Sequence, residues 1–510
     1  MHRLTIEVIT AMCAWAISAV GQSVSTGRLC PQGGPYNMIE LVKKLSPAAR
    51  IYCPGTEEFE EASIRWSVLE EPKVNVIVVP GTVDDVAETV KFANQRKLPF
   101  LAYNGAHGAV TTLGKMDHGI EILMHQLSSV EIAKDGKTAK VGGGTMSKTV
   151  TDTLWEAGKQ TGKLMITVTG ACECVSLLGP GLGGGHGWLQ GHYGLIADQF
   201  VSMDIVMADG SRTIIDKTSS LWWAMKGAGH NFGIVTAVTT KIYDIKHRDW
   251  AIETLVFGGD KVEAVYQAAN DHFLTNKTQP VDVIHWSYWL NNLDANPNKP
   301  VIIFYVIQEG VKAVDTVYTK PFHDIGPLSA EAVGGSYTDL AEWTDISTSA
   351  PPCQKAGLAN PRFPIYLELY NVTAQRKAYD LFASAARGSS TFSRSVFMFE
   401  GYSMQGVQGI DPESTAFAFR DANLLVAPLI TYLPADSDLD KRAAKLGEQL
   451  RQILYEGSGR KELRAYINYS YGDETLQQWY GNEKWRQDRL QALKRKYDPE
   501  GKFSFYAPIA

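Results

Sequence analysis

A dense run of glycines in the first half of the chain constrains the fold more than any other feature of the sequence. Its central part, residues 179–187, reads GPGLGGGHG. Glycine lacks a Cβ, so backbone N–H groups in such a run can come close to a bound pyrophosphate. A Rossmann-type fingerprint would place these glycines at the first βα turn and an acidic residue at the end of the next strand, and that context is absent. Taken alone, the run is as consistent with a structural loop as with a dinucleotide-binding loop.

The segments around this run predict a mixed α and β chain. Residues 74–79 form a continuous apolar run typical of a strand, and a capping-box pattern at Thr82 predicts a helix to about residue 96. A second strand-like run, residues 98–103, ends at the loop 104–108, which reads NGAHG. From about residue 246 glycine becomes less frequent and long strand-like segments appear, which indicates a separate domain to about residue 460. A charged helix predicted at residues 483–496 is expected to pack back onto the first domain.

Length and charge narrow the function classes. A chain of 510 residues is long enough for two sizeable cores, so we expect two domains. The sequence has 49 basic and 55 acidic residues, a formal net charge of −6, and no basic stripe that would neutralise phosphates. Nucleic acid is therefore not expected as a partner.

The N-terminus is predicted to be a signal peptide spanning residues 1–21. Basic His2 and Arg3 precede an apolar segment, residues 6–20, that closes on small residues. A membrane anchor is the alternative, but the segment is interrupted by Glu7 and Thr10 and is short for a bilayer. We expect a secreted protein, or one in the lumen of the secretory pathway, with no membrane partner. Sequons at Asn276 and Asn371 then become possible glycosylation sites.

The cysteine count is odd once the signal peptide is removed. The remaining cysteines are Cys30, Cys53, Cys172, Cys174 and Cys353. At least one sulfur is therefore expected to be unpaired or modified. A Cys30–Cys53 disulfide is the preferred pair, because both precede the first regular βα unit, where a covalent link stabilises an otherwise irregular segment.

Six segments taken in order resemble one known family. They are residues 104–108, 170–187, 192–198, 208–210, 221–236 and 466–469. Together they closely resemble the vanillyl-alcohol-oxidase-type FAD proteins, specifically the berberine-bridge-enzyme-like branch, over about residues 60–245 and 460–505. The middle of the chain resembles the family's substrate domain only faintly, best at residues 411–420.

The resemblance implies an α+β fold in two parts. A PCMH-type FAD-binding domain with mixed sheets and helices would span residues 22–245, and a C-terminal segment, residues 461–510, would return to complete it. An inserted α/β substrate domain with an antiparallel sheet would span residues 246–460.

The resemblance also implies a covalently bound flavin. In this family a histidine of the first glycine loop bonds to the flavin 8α-methyl group, and His107 occupies the matching position. A neutral imidazole is a competent nucleophile. The loop alone favours a hydrogen-bonding histidine, and it is the family resemblance that favours the tether. Ala106 departs from the family, which usually has glycine there. Cys172 stands where doubly tethered members carry a cysteine bonded to flavin C6; the alternatives are a buried free thiol or a disulfide with Cys174 or Cys353.

Further cofactor contacts follow from the same motif match. Val175 matches a gatekeeper position where valine accompanies oxygen access to the flavin, which favours an oxidase. The other residues expected to bind the cofactor are Asn104, Gly105, Ala106, Gly108, Gly179, Gly183, Gly184, His192, Gly194, Leu195, Gly233, Ile234, Val235 and Asn468, and no metal is expected.

The catalytic base is less clear from sequence than the cofactor. Substrate hydride would pass to flavin N5 while a protein base removes the accompanying proton. Tyr466 and Tyr469 are the candidates by motif match, and a packed aromatic pair with Asn468 holding the flavin is the alternative. Glu400 lies in the expected region, but residues 402–408 do not reproduce the family's glutamate-bearing pattern, so Glu400 is not selected.

The function expected from the sequence is a secreted FAD oxidase of a small, partly apolar secondary metabolite, with O2 as electron acceptor. Two alternatives stay open: a carbohydrate oxidase of the same branch, and a flavoprotein cyclase whose flavin is structural. The sequence identifies neither the substrate nor the oligomeric state.

Overall fold

The computed structural model describes residues 36–160, 171–275 and 278–509. The predicted signal peptide, Cys30, Gly170 of the glycine-rich segment and the sequon at Asn276 lie outside these residues. Within the described ranges, no helix is both long and apolar enough to cross a membrane.

The first sheet has four strands and mixed direction. In spatial order its strands are Arg50–Tyr52, Val74–Val79, Gly119–Leu123 and Phe100–Tyr103. Its three strand pairings are antiparallel, parallel and parallel in that order. The central strand Val74–Val79 matches the predicted strand and is buried from Val76 onward, as expected for a strand covered on both faces. The helix that follows begins at the predicted capping box, where Thr82 and Asp85 exchange side-chain and backbone hydrogen bonds.

The second sheet has five strands and is antiparallel throughout. In spatial order its strands are Val130–Ile132, Thr138–Gly142, Ile234–Lys241, Phe200–Val206 and Arg212–Asp216. A two-stranded ribbon joins Lys159–Gln160 to Tyr243–Asp244. These sheets and the ribbon are all formed by residues 50–244, within the predicted FAD-binding domain.

The third sheet has seven antiparallel strands and belongs to the inserted region. In spatial order its strands are Ser329–Ser336, Asp249–Phe257, Val301–Glu309, Val283–Leu290, Val396–Gly401, Leu424–Leu429 and Ile365–Leu367. Every pairing in this sheet is antiparallel.

Central strands of this sheet send alternate side chains into two different cores. Along Val283–Leu290, Val283 and Trp289 join a core formed with the helices of the inserted region. Trp286 and Tyr288 join a core shared with the first domain and the C-terminal segment. Because successive side chains of a strand point to opposite faces, one face of the sheet is a scaffold and the other is directed at the first domain.

The helices flank these sheets. The longer ones are Val83–Arg96, Ser147–Glu156, Val262–Phe273, Thr316–Ile325, Val372–Ala386, Ser437–Ser458 and Lys484–Tyr497. The shorter ones are Ile39–Val42, Glu57–Ser63, Leu178–Leu182, Gln190–Tyr193, Trp222–Met225, Leu340–Trp343, Gln405–Gln408 and Leu476–Tyr480.

The C-terminal segment returns to the first domain, as predicted. Lys494, on the helix Lys484–Tyr497, donates to the backbone oxygens of Asn231 and Phe503 and pairs with Asp498. A buried ammonium needs such a full set of partners to offset its desolvation. The α+β fold with an inserted antiparallel sheet is therefore confirmed.

Candidate active site

The two predicted tether residues lie together. A ring nitrogen of His107 and the sulfur of Cys172 belong to a group of atoms within 4.8 Å of one another. The same group includes the sulfur of Cys174, but that sulfur is bonded to Cys353 and is not available as a thiolate ligand. The loop carrying His107 and the start of the glycine run therefore meet at one point.

The surroundings of His107 determine which ring nitrogen is nucleophilic. Its Nε2 lies 2.9 Å from the carbonyl oxygen of Pro352. A carbonyl oxygen only accepts, so Nε2 carries the proton and Nδ1 keeps its lone pair. Burial, reinforced by the positive charge of Arg362, lowers the pKa of His107 to about 3, so the ring is neutral. The Trp66 ring stacks on it with centroids 4.3 Å apart and fixes its plane.

Cys172 is a free thiol beside a disulfide. Cys174 and Cys353 form the disulfide, and Cys172 is the free cysteine among the described residues. Its Sγ lies 3.5 Å from Sγ of Cys174 and 3.6 Å from Sγ of Cys353. Of the alternatives left open by the sequence, the disulfide of Cys172 with either neighbour is not formed. Burial raises the pKa of the Cys172 thiol to about 11, so the sulfur is protonated at neutral pH.

The remaining cysteine of the described residues is also paired. Cys53 is disulfide-bonded, and its predicted partner Cys30 lies outside the described residues.

The departure from the family at Ala106 has a structural explanation. Ala106 has φ of 54°, in the left-handed region that a residue with a Cβ enters at a cost. Glycine pays no such cost, which accounts for the family's usual residue there. The neighbouring Asn104 donates from Nδ2 to the backbone oxygen of Gly144 and to the sulfur of Met146, which ties the loop to the second sheet.

The glycine run packs against the C-terminal segment. A Cβ at Gly183 would lie 2.5 Å from Oδ1 of Asn468, closer than side-chain atoms approach. Asn468 in turn donates from Nδ2 to the oxygen of Pro180 and to the hydroxyl of Tyr466. The predicted cofactor residues at 104–108, 172–175, 179–184 and 468 are thus brought into one region.

Some predicted residues have other contacts. The side chain of His192 bonds through Nε2 to Glu309 of the inserted region, at 3.0 Å. Leu195 is fully buried in the core, and its N–H donates to Asp198. Ile234 and Val235 are buried strand residues next to Gly233. The side chain of His192 joins the two domains, and the side chains of Leu195, Ile234 and Val235 are buried in the protein interior.

Glu400 is the functional candidate that the sequence did not select. It lies near the end of the strand Val396–Gly401 and is buried. The hydroxyl of Tyr402 donates to one carboxyl oxygen at 2.7 Å, and the hydroxyl of Tyr469 donates to the other at 2.8 Å. Burial raises the pKa of Glu400 to about 7. The signal that could have found it is a single carboxyl within the apolar run FMFEG, because carboxyls are almost never buried without a purpose.

The two tyrosines predicted as bases are neutral phenols in the fold, where each takes part in hydrogen bonds. Burial raises the pKa of Tyr466 and of Tyr469 far above their ordinary value. The hydroxyl of Tyr466 accepts from Asn468 Nδ2 and from the backbone N–H of His186. Tyr469 donates to Glu400, so the terminal motif positions the carboxyl.

Aromatic side chains from both domains surround this carboxyl. Trp188 of the first domain stacks on Trp286 of the inserted sheet with centroids 4.1 Å apart. Tyr402 contacts Trp286 edge-on and stacks on His186. The indole N–H of Trp286 is buried without a hydrogen-bond partner among the described residues. Such an unsatisfied donor is suited to a bound molecule.

This arrangement fits a flavin. An imidazole nitrogen with a lone pair and a free thiol lie side by side, and both groups are nucleophiles of the kinds that the family resemblance predicted as flavin tethers. Glycines without room for a Cβ line the adjacent backbone, and a buried carboxyl stands nearby. His107, Cys172 and the glycine run would hold the group, and Glu400 would face what it oxidises.

Known proteins agree with this description. Residues 74–216 match the family model described as an FAD binding domain, and residues 465–510 match the model described as berberine and berberine like. The FAD-linked oxidoreductase chyH of Penicillium rubens is 59% identical over 508 residues, covering 99% of this chain and 100% of that protein.

Solved structures share the fold at low sequence identity. The BBE-like 1 protein of Physcomitrella patens has a TM-score of 0.76 at 20% identity, covering 92% of this chain and 98% of that one. Glucooligosaccharide oxidase from Acremonium strictum, whose structure is described with a 6-S-cysteinyl, 8α-N1-histidyl FAD, has a TM-score of 0.74 at 16% identity, covering 90% and 97%.

The fold and the site together define an FAD-dependent oxidoreductase with a two-part cofactor domain. Within that class, the chain belongs to the berberine-bridge-enzyme-like branch of the FAD-linked oxidoreductases.

Proposed function

We propose that this protein is an oxidase of a small, partly apolar secondary metabolite, with Glu400 as the base that removes the substrate proton. The observation that carries the proposal is the buried Glu400 carboxyl, held by two tyrosine hydroxyls with a pKa of about 7. A general base works best when its pKa lies near the operating pH. At neutral pH a large fraction of Glu400 is ionised and ready to accept a proton.

The neighbours of Glu400 orient it for this role. Tyr402 and Tyr469 each hold one carboxyl oxygen, so the carboxylate plane is fixed. Their hydrogen bonds and the positive charge of Arg362 favour the ionised form and partly offset the larger effect of burial. Tyr466 is one step removed, bonded to Asn468. When bound, FAD supplies the hydride acceptor, and Glu400 retains the proton taken from the substrate.

We propose that the flavin is bonded to both His107 and Cys172. For His107, the support is the free lone pair on Nδ1, which follows from the bond between Nε2 and the Pro352 carbonyl. For Cys172, it is the free thiol state beside a completed disulfide. The raised pKa of this thiol means that its proton must leave before the sulfur can form a bond.

Oxygen as the electron acceptor and a secretory location complete the proposal. Val175, at the gatekeeper position of the family, supports reoxidation by O2. The Cys174–Cys353 disulfide is typical of an oxidising compartment and agrees with the predicted signal peptide. The aromatic side chains around Glu400 support an apolar or aromatic substrate.

The test begins with the purified protein denatured in acid. Flavin that stays with the polypeptide is covalent, and mass spectrometry of the peptides containing His107 and Cys172 locates the bonds. Free loss of flavin with both peptides unmodified would contradict the two tethers.

Peroxide release separates the competing activities. Candidate metabolites and a panel of oligosaccharides are assayed for hydrogen peroxide and oxygen consumption. Release with metabolites but not with sugars is the expected result, whereas sugar-dependent release indicates the carbohydrate oxidase. Product formation without oxygen consumption indicates the cyclase.

A further inference from the structure

One buried arginine differs from all the others in the described part of the chain. Four buried arginines have ionic or backbone partners: Arg65 with Glu121, Arg420 with Asp198, Arg451 with Asp473 and Glu474, and Arg486 with Glu483 and the oxygens of Thr415 and Pro412. Arg362 is equally buried, with 6% of its surface exposed. Its side chain makes no hydrogen bond or ion pair with the described residues, and its Nε is buried without a partner.

Aromatic rings, not acceptors, surround the Arg362 guanidinium. Its central carbon lies 4.9 Å from the ring centre of Trp66 and 4.4 Å from that of Tyr469. Such cation–π contacts hold the charge but use none of the guanidinium N–H donors. A buried charge without hydrogen-bond acceptors is unfavourable, so the donors are available to a group that the protein itself does not provide.

Glu400 does not supply that group. The Arg362 charge influences Glu400, but both oxygens of Glu400 are engaged by tyrosine hydroxyls. The chain pairs its structural buried arginines directly with carboxylates, as the bidentate pair of Arg420 with Asp198 illustrates. The absence of such a pair at Arg362 therefore points to a ligand.

Arg362 is connected to both the proposed tether and the proposed base. Trp66, which contacts the guanidinium, also stacks on His107. Tyr469, the other contact, donates to Glu400. Arg362 thus lies between the tether residue and the base, with one tyrosine ring separating the guanidinium from the carboxyl.

We propose that Arg362 binds a planar oxygen group of the substrate, either a carboxylate or a neutral carboxamide or ketone carbonyl. Guanidinium N–H groups are arranged in a plane that matches such acceptors. The group anchored there would place the neighbouring substrate carbon within reach of Glu400. This inference rests on the proposed function, because it assigns the substrate to the site that contains Glu400.

Ligand binding to the holoenzyme tests the inference without turnover. Benzoate and benzamide are a matched pair of planar probes, one charged and one neutral, and benzylamine is a probe without an oxygen acceptor. Each is titrated into the flavin-loaded protein, and binding is followed by the change in flavin absorbance. The comparison includes wild type, Arg362→Gln, Arg362→Lys and a surface control, Arg376→Gln. Arg376 pairs with Glu263 between two helices of the inserted region.

The expected result is a loss of affinity confined to Arg362 variants and to oxygen-bearing probes. Arg362→Gln should weaken benzoate or benzamide at least tenfold, Arg362→Lys should retain part of the benzoate affinity, and Arg376→Gln should match wild type. A larger effect on benzoate identifies a carboxylate, and a larger effect on benzamide identifies a neutral carbonyl. If Arg362→Gln does not fold, judged by thermal melting and flavin content, the comparison uses Arg362→Lys, for which at least a threefold loss is expected.

Three outcomes would overturn the inference. The first is an unchanged affinity of the Arg362 variants for both probes, and the second is that neither probe binds to wild type. The third is an Arg362 variant with a changed flavin spectrum or flavin content but unchanged probe affinity, which would assign Arg362 to the cofactor. Glu400→Gln should keep the affinity for benzamide and should not weaken benzoate, since it removes a negative charge. Failure of the proposed base would appear in turnover alone, so the two hypotheses fail separately.

Discussion

The two sides of the active site are built in different ways. On the cofactor side, His107 and Cys172 are polar residues in glycine-containing loops of the first domain, and their neighbours are backbone atoms, the Trp66 ring and a disulfide. On the substrate side, Glu400 is a single charged residue on an apolar strand, held by Tyr402, two positions along the chain, and by Tyr469, 69 positions away. Loops allow close approach of backbone to a cofactor, whereas a strand in a packed sheet fixes one side chain rigidly. The binding of the flavin and the chemistry on the substrate should therefore respond independently to substitution.

Glu400→Gln gives the sharpest separation of the two sides. Removing the base should lower kcat by roughly 10²–10⁴-fold, while covalent flavin content stays at the wild-type level. Anaerobic reduction of the flavin by substrate, followed by absorbance, measures this step directly. Glu331→Gln, on the exposed edge strand of the same sheet, is the matched control and should be as active as wild type. A Glu400→Gln enzyme with more than a tenth of wild-type activity would remove Glu400 from the mechanism.

The pH profile tests the same carboxyl without substitution. The base acts when deprotonated, and its pKa is about 7, so kcat/KM should rise with pH and level off above about pH 7. Below that value the rate should fall about tenfold per pH unit. Covalent flavin content should not change over the same range. A profile that is flat from pH 5 to 8 would argue against Glu400 as the essential base.

Cys174→Ser examines the cofactor side. With the Cys174 sulfur removed, the nearest partner of the Cys353 sulfur is Cys172, at 3.6 Å, and a disulfide between them would consume the second tether. Mass spectrometry should show little flavin on the Cys172 peptide, with flavin still on the His107 peptide. The double variant Cys174→Ser, Cys353→Ser should restore it, because Cys172 is again a free thiol.

A disulfide elsewhere provides the control for this experiment. Cys53 is disulfide-bonded outside the site, so Cys53→Ser should leave flavin on both peptides. If Cys174→Ser keeps full flavin at Cys172, the disulfide does not protect the thiol.

Ala106→Gly is expected to have the smallest effect. The left-handed backbone at Ala106 costs alanine about 1–2 kcal/mol in the folded state, and glycine removes this strain. Glycine also makes the unfolded chain more flexible, which opposes folding by about 0.5–1 kcal/mol. The net gain should be about 0.5–1 kcal/mol, seen as a small rise in melting temperature. Lys97→Gly, at an exposed left-handed helix end, should give a similar gain away from the site. A destabilised Ala106→Gly protein alone would show that the methyl group contributes packing.

The same contrast explains what could be predicted from the sequence. The strand at residues 74–79, the capping box at Thr82 and the return of the C-terminal helix depend on local pattern, and they were correctly predicted. The disulfide state of Cys172 could not be read from spacing, because three sulfurs lie within bonding reach of one another.

Two residues near the proposed substrate site were not selected from the sequence for a different reason. The apolar run FMFEG marks the Glu400 carboxyl as unusual, but its contact with Tyr469, which is 69 positions away in the chain, is visible only in the fold. Arg362 is distinguished by the lack of a partner among the described residues, and a missing contact leaves no trace in a sequence pattern. The proposals for the base and for the substrate anchor therefore depend on tertiary structure.

The alternation along the seven-stranded sheet has a consequence for how such enzymes diversify. Val283 and Trp289 serve the helical core, whereas Trp286 and Tyr288 of the same strand serve the core at the active site. Selection can exchange the second set for side chains that suit a new metabolite while the first set preserves the scaffold. Substitutions at Trp286 and Tyr288 should therefore change the core that faces the first domain while leaving the helical core of the inserted region intact.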